Sequence, residues 1–367
     1  MKQTRVPALS LIGLAVACQV TPQPVQVGAV QVLGKLEQPS KIRGRDGGVS
    51  GRFGLRSVWV YGDSVATQAG SYPNTWRSNT MSWTTDSDAS DGVHDFVQPE
   101  DARGAPREFF PFTDEERAFN DAHVDRGNGK CEKPCGARYA IWGSGPVADP
   151  ERGRAILGYV KVYAEPGEWN FHVLGSSIAY WSDFDQGPVR PHAHSRLADP
   201  TLLFDQSEGE FGIPVISEPF LYLFACSGGP PGASGCRLAR ARIDQALDRD
   251  AWRFRSATDW SPSAARAAPL FAAPANVSVY FNRFLSRWLA VYIDCGHIML
   301  RTSSQLEGPW SAEVHVFDPP EPNARHAFGH PEFQERDGAV EYISYLADDF
   351  RLLRVQIRRV APSPRTP

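Results

Sequence analysis

Beyond its first twenty residues the chain has no run of about 18 consecutive apolar residues, so no later segment is suited to cross a membrane as a helix. It also has no basic block or stripe. Its 38 Lys and Arg are balanced by 42 Asp and Glu, a formal net charge of −4, which argues against nucleic acid as a partner. Several catalytic signatures are missing: there is no Gly-x-Ser-x-Gly nucleophile elbow, no phosphate-binding Walker loop and no His-Glu-x-x-His zinc helix. The Ser-x-Asp-x-Gly-x-Thr-Trp boxes of sialidase propellers are missing too. No helical pattern follows each strand-like segment, which disfavours parallel α/β folds.

What is present is glycine (32), proline (30) and an aromatic content of 11%, spread along the chain. Short aromatic strands joined by turns are the expected outcome. The first eighteen residues read as an export signal. Lys2 and Arg5 form a positive start, Val6 to Val16 is a short apolar run, and Ala15-Val16-Ala17-Cys18 resembles a bacterial lipobox. This predicts a signal peptide over 1–18, with Cys18 lipidated, and a flexible tether over 19–40 rich in Gln, Pro and Val. The expected location is membrane-anchored, at the outer membrane or cell surface, because Gln19 and not an acidic residue follows Cys18. In such a compartment Cys131 with Cys135, and Cys226 with Cys236, read as two local disulfides. Cys295 is left over and is expected to be a small buried residue in a strand.

From residue 41 to 361 the chain reads as one all-β domain. Five strongly apolar segments, Val58–Tyr61, Ile156–Val162, Leu221–Phe224, Leu289–Ile293 and Val340–Tyr345, recur at spacings of roughly 50–90 residues. They fit the blades of a five-bladed β-propeller. The stretch from about Thr85 to Gly136 is polar and reads as a loop and short-helix insertion over one face. Thr113 with Glu116 three residues later forms a capping-box pattern that predicts a helix over 113–122. A monomer is expected.

Particular residues carry a family resemblance. Arg45-Asp46-Gly47-Gly48 precedes Val58-Trp59-Val60-Tyr61-Gly62-Asp63-Ser64. Arg287–Tyr292 leads through Leu300-Arg301-Thr302-Ser303 to Gly308-Pro309-Trp310-Ser311. His330-Pro331-Glu332-Phe333 is followed by Tyr342–Tyr345. In this order they resemble the family catalogued as domain of unknown function 4185, whose members are classed as endo-D-arabinanase glycoside hydrolases. Ser64, where that pattern has Thr, and the cysteine loops depart from it. The resemblance implies a five-bladed propeller that cleaves a cell-envelope or extracellular polysaccharide, such as an arabinan. The alternative is a non-catalytic propeller lipoprotein that binds a glycan or a protein.

Glycoside cleavage requires two carboxyl groups flanking one bond, one as acid and the other as base or nucleophile. Asp46 and Asp63 are the first candidates, and Glu218 and Glu332 are the candidates for a further acid. Trp76, Arg77, Asn79, Trp142 and His330 are the candidates for sugar contacts. His192, His194 and His326 are expected to be solvated or substrate-bonding, so no metal centre is expected. A structural calcium ion is the one cofactor allowed for. Its candidate ligands are Asp183 and Asp185, or the half-loop of Asp86, Asp88, Ser90 and Asp91.

Overall fold

The computed structural model describes residues 25–127, 129–227 and 235–360. Cys18, the signal segment and residues 19–24 of the expected tether lie outside them. The first described strand, β1 (Val25–Lys35), belongs to the last blade. Blade 1 consists of β2 (Ile42–Phe53), β3 (Arg56–Ala66), β4 (Trp76–Arg77) and β5 (Thr80–Thr84). The insertion follows, with α1 (Asp114–His123). Blade 2 holds β6 (Arg138–Gly143), β7 (Val147–Asp149), β8 (Arg154–Ala164), β9 (Phe171–Trp181) and β10 (Phe204–Asp205). Blade 3 holds β11 (Ile213–Ser217), β12 (Phe220–Ser227), β13 (Gly235–Arg242), β14 (Arg253–Arg255) and β15 (Trp260–Ser261). Blade 4 holds β16 (Ser278–Asn282), β17 (Arg287–Asp294), β18 (His297–Ser303) and β19 (Val314–Phe317). Blade 5 holds β20 (Arg325–Gly329), β21 (Val340–Leu346), β22 (Phe350–Arg359) and, on its outer edge, β1.

Every ladder is antiparallel, and the five sheets form the five-bladed propeller that the five apolar segments predict. Those segments are the second strands β3, β8, β12, β17 and β21. They are buried almost throughout because both faces of each blade pack on neighbouring blades. Among the described residues no helix is long and apolar enough to cross a membrane.

Two local readings change. Residues 25–35 are not tether: β1 pairs with β22 from Val25 opposite Arg359 to Lys35 opposite Arg351. As an edge strand it is exposed or half-buried along its length, and only Val25 is buried. Pro331–Phe333, just after β20, is a 3-10 turn. Cys295 is exposed on the turn after β17, with φ near 49°. Both expected disulfides are present.

The innermost strands β2, β7, β11, β16 and β20 line the axis and meet at a common waist. A Cβ at Gly51 would lie 2.1 Å from the Pro146 carbonyl oxygen, so only glycine permits blades 1 and 2 to approach here. Gly212 lies against Tyr159 of blade 2. The Gly329 amide donates to Ser278 Oγ at 2.8 Å, and Ser50 Oγ bonds His330 Nδ1 at 2.6 Å. Residues upstream of this waist on each inner strand lie toward one axial end. Residues downstream lie toward the other.

Candidate active site at one axial mouth

Asp46 lies upstream of the waist, where β2 cannot keep a regular ladder with β3. Arg45 faces Ser64 and Gly47 faces Tyr61, so Asp46 sits in a bulge opposite Gly62 and Asp63. A bulge re-aims a side chain out of the sheet. Gly47 and Gly48 carry it at φ of 93° and 94°, and a Cβ on Gly48 would come 2.7 Å from the Phe350 ring. The turn-like Asp-Gly-Gly is therefore a bulge inside a strand. Asp46 Oδ1 accepts from Arg325 Nη2 at 2.9 Å, across from the first residue of β20. His326 follows with φ near 52°, and its Nδ1 is buried without a partner. Burial chiefly lowers its pKa, and the Asp46 charge opposes this.

Asp63, near the end of β3, is largely buried, and burial pushes its carboxyl up to about 6. The negative charge of Asp46 adds to the rise, whereas Arg138 and Trp142 oppose it. Trp142 Nε1 donates to Asp63 Oδ1 at 3.2 Å, and Arg138 Nη2 lies 3.9 Å from Oδ2. The Trp76 indole lies beside the same carboxyl under the Arg138 guanidinium, 4.8 Å from it. The two carboxyl groups thus differ in burial. Asp46 is half exposed and bonded to Arg325, while Asp63 is largely desolvated, with Arg138 farther away at 3.9 Å.

Two surfaces extend from this pair. A cleft of about 600 Å³ opens beside Trp76 and Arg138, walled by Tyr72, Glu108, Arg117 and Asp121. Burial pushes the Glu108 carboxyl up to about 7, although it accepts from the Ser78 amide at 3.1 Å. An aromatic row also leads away from Asp63. The Trp142 ring meets Phe171 edge-on at 5.0 Å, and Phe171 lies 6.4 Å from Trp169. Trp169 is 80% exposed, with φ near 58°, a left-handed conformation that costs a bulky residue about 1–3 kcal/mol.

The other candidates are elsewhere. Glu218 is in the turn after β11, downstream of the waist, and pairs with Arg152 at 3.0 Å. Glu332 is also downstream; it accepts from Ser57 Oγ at 2.6 Å, and burial raises its pKa. Neither joins Asp46 and Asp63, because both follow their inner strands. Arg77 does not offer its guanidinium to a sugar. It is fully buried and donates to the carbonyls of Ala69, Asn74, Trp76 and Pro106. Asn79 is equally buried, its Oδ1 accepting from the Phe109 and Phe110 amides. His330 is sealed at the waist between Ser50 and Ser344 and stacked 4.1 Å from Trp59, and burial lowers its pKa to about 3. The carboxylates of Asp86, Asp88 and Asp183 accept backbone amides in local turns. The sequence reading missed Arg138, Arg325 and Glu108. Arg325 precedes His326 and Arg138 lies four residues before Trp142, but only the closed ring shows what they face.

No curated protein matches the chain. Solved structures do. The crystal structure of a "putative hydrolase" from Bacteroides ovatus is 14% identical, with a TM-score of 0.55 over 88% of this chain and 86% of that one. A protein of unknown function from Dyadobacter fermentans is 10% identical, with a TM-score of 0.45 over 92% of this chain and 100% of that one. A family 43 β-xylosidase/α-arabinofuranosidase from a compost microbial metagenome, in complex with xylotriose, is 10% identical, with a TM-score of 0.42 over 93% and 96%. At these identities the likeness is one of fold. The profile described as domain of unknown function 4185 matches residues 160–346, from within β8 to the end of β21, which leaves Asp46 and Asp63 outside the matched span. That match spans just over half of the chain, and with the five blades observed here the chain belongs to the domain of unknown function 4185 family.

Proposed function

We propose that the protein is an exported glycoside hydrolase acting on a polysaccharide, with an arabinan as the first polymer to test. Asp63 serves as general acid and Asp46 as base or nucleophile. One observation carries this reading: two carboxyl groups, one half exposed and bonded to an arginine and the other largely desolvated, share one axial mouth. A general acid must hold its proton near neutral pH, and desolvation does this for Asp63. Asp46 Oδ1 is bonded to the Arg325 guanidinium at 2.9 Å, which places it for the second role. Trp142, Phe171 and Trp169 offer sugar faces a row of rings, and the cleft beside Trp76 and Arg138 offers room for further sugar units.

The anchor reading, with Cys18 lipidated, acquires a direction. β1 runs from Val25, beside the downstream end of β22, toward the mouth at Lys35. A lipid on Cys18 would therefore hold the face opposite Asp46 and Asp63. Only residues 19–24 would lie between, reaching at most roughly 20 Å. The mouth would face away from the supporting membrane.

Incubation with a polysaccharide panel that includes arabinan tests this directly. Released oligosaccharide is expected. Asp46→Asn and Asp63→Asn should each lower kcat roughly 100- to 10,000-fold without lowering Tm. The rate should fall as pH rises through about 6, because Asp63 loses the proton it must donate. Binding without product would favour the non-catalytic reading, and full activity in Asp46→Asn would remove that residue from the mechanism.

A further inference from the structure

We propose that His297, His315 and Asp318 form a binding site for a divalent transition-metal ion of the zinc type, on the outer part of blade 4. Among the described residues they are the one group of three or more His, Cys, Asp or Glu side chains whose donor atoms all lie within 4.8 Å of one another. Both imidazoles converge on one carboxylate oxygen. His297 Nδ1 and His315 Nε2 each lie 2.6 Å from Asp318 Oδ1.

The backbone explains why they meet. His297 opens β18, and His315 lies on β19, which runs antiparallel beside it. The ladder pairs Met299 with His315 but Ile298 with Phe317, so one extra residue is accommodated on β19. In a regular ladder Phe317 would stand opposite His297. The bulge advances β19 by one residue and brings Asp318 there instead. His297, Met299, His315 and Asp318 then share one face of the sheet, since residues two apart project to the same side.

The donor set selects the ion. Two imidazoles and one carboxylate suit zinc and its neighbours, whereas calcium and magnesium prefer oxygen donors. Three protein ligands leave the fourth position to water. All three side chains are exposed and free to adjust toward metal–ligand distances of about 2.0–2.2 Å. The ion would clip the outermost strand to its neighbour and fix the start of the loop from Asp318 to Arg325, the residue that holds Asp46. This site stands independently of any hydrolase activity.

The test uses the full chain stripped with EDTA and titrated calorimetrically with zinc alone. A Cys295→Ser background removes the exposed thiol from the count. One equivalent of zinc should bind and raise Tm. His297→Ala and His315→Ala should each weaken uptake at least about tenfold and abolish the rise. Both variants should match the wild type in Tm when EDTA is present, since the residues are at the surface. No zinc uptake by the wild type, or equal uptake by wild type and variants, would overturn the site.

Discussion

At the scale of the residue, the general-acid role proposed for Asp63 would oppose stability. A carboxyl whose folded pKa is about 6 binds its proton more tightly when folded than when unfolded. Stability contributed by this group is therefore present at low pH and is lost as pH rises from about 4 through about 6. The cost in the ionised range is on the order of 2–3 kcal/mol. Asp63→Asn keeps an acceptor for Trp142 and removes the buried charge. It should raise Tm at pH 8 and leave it nearly unchanged at pH 4, as thermal unfolding at the two pH values would show. An equal effect at both would mean that desolvation of Asp63 is not what raises its pKa.

At the scale of the element, one carboxylate ties the helix of the insertion to blade 2 and the loop after it. The capping box forms as its sequence predicts: the Glu116 amide donates to Thr113 Oγ1, and the Thr113 amide donates to Glu116 Oε2. The same Glu116 carboxylate takes Arg190 Nη1 at 2.7 Å and Lys161 Nζ at 2.6 Å, all three side chains buried. These cations, and burial opposing them, leave its pKa below the usual carboxylate range. Removing one partner from a buried ion group leaves the others uncompensated. Glu116→Ala should cost about 3–5 kcal/mol in urea unfolding, far above the roughly 1 kcal/mol of a lost helix cap. A loss near the lower figure would show that Arg190 and Lys161 find other partners; Lys161 also reaches Asp199. Thr113 and Glu116 were legible as a cap because their spacing is local. The cations were not, because they lie 45 and 74 residues away along the chain.

At the scale of the whole molecule, β1 closes the ring. It supplies the outer strand of blade 5 from the opposite end of the chain, and Val25 packs into the core that blades 4 and 5 share. Deleting residues 25–35 should lower Tm by roughly 10 °C or more and expose the β22 edge to self-association. Differential scanning calorimetry with light scattering would read both. An unchanged Tm would make β1 an ornament and not a closure.

The sequence by itself determined the second strand of every blade, since burial on both faces demands a continuous apolar run. It also determined the α1 cap and the two disulfides, since each depends on residues close in the chain. Asp46 could be singled out by the family resemblance of its segment, and Asp63 by its place just past a continuous apolar run, which is a local feature. Tertiary structure alone decided which end of the axis each carboxyl group faces. It separated Glu218 and Glu332 from Asp46 and Asp63, turned Arg77, Asn79 and His330 inward, and brought Arg138 and Arg325 to the two aspartates. The same holds for β1, whose identity as a strand rests on hydrogen bonds to residues more than 300 positions away. The physical reason is common to all of these: a hydrogen bond, a bulge or a buried charge is defined by its partner, and here the partner is one that the sequence pattern around the residue does not identify.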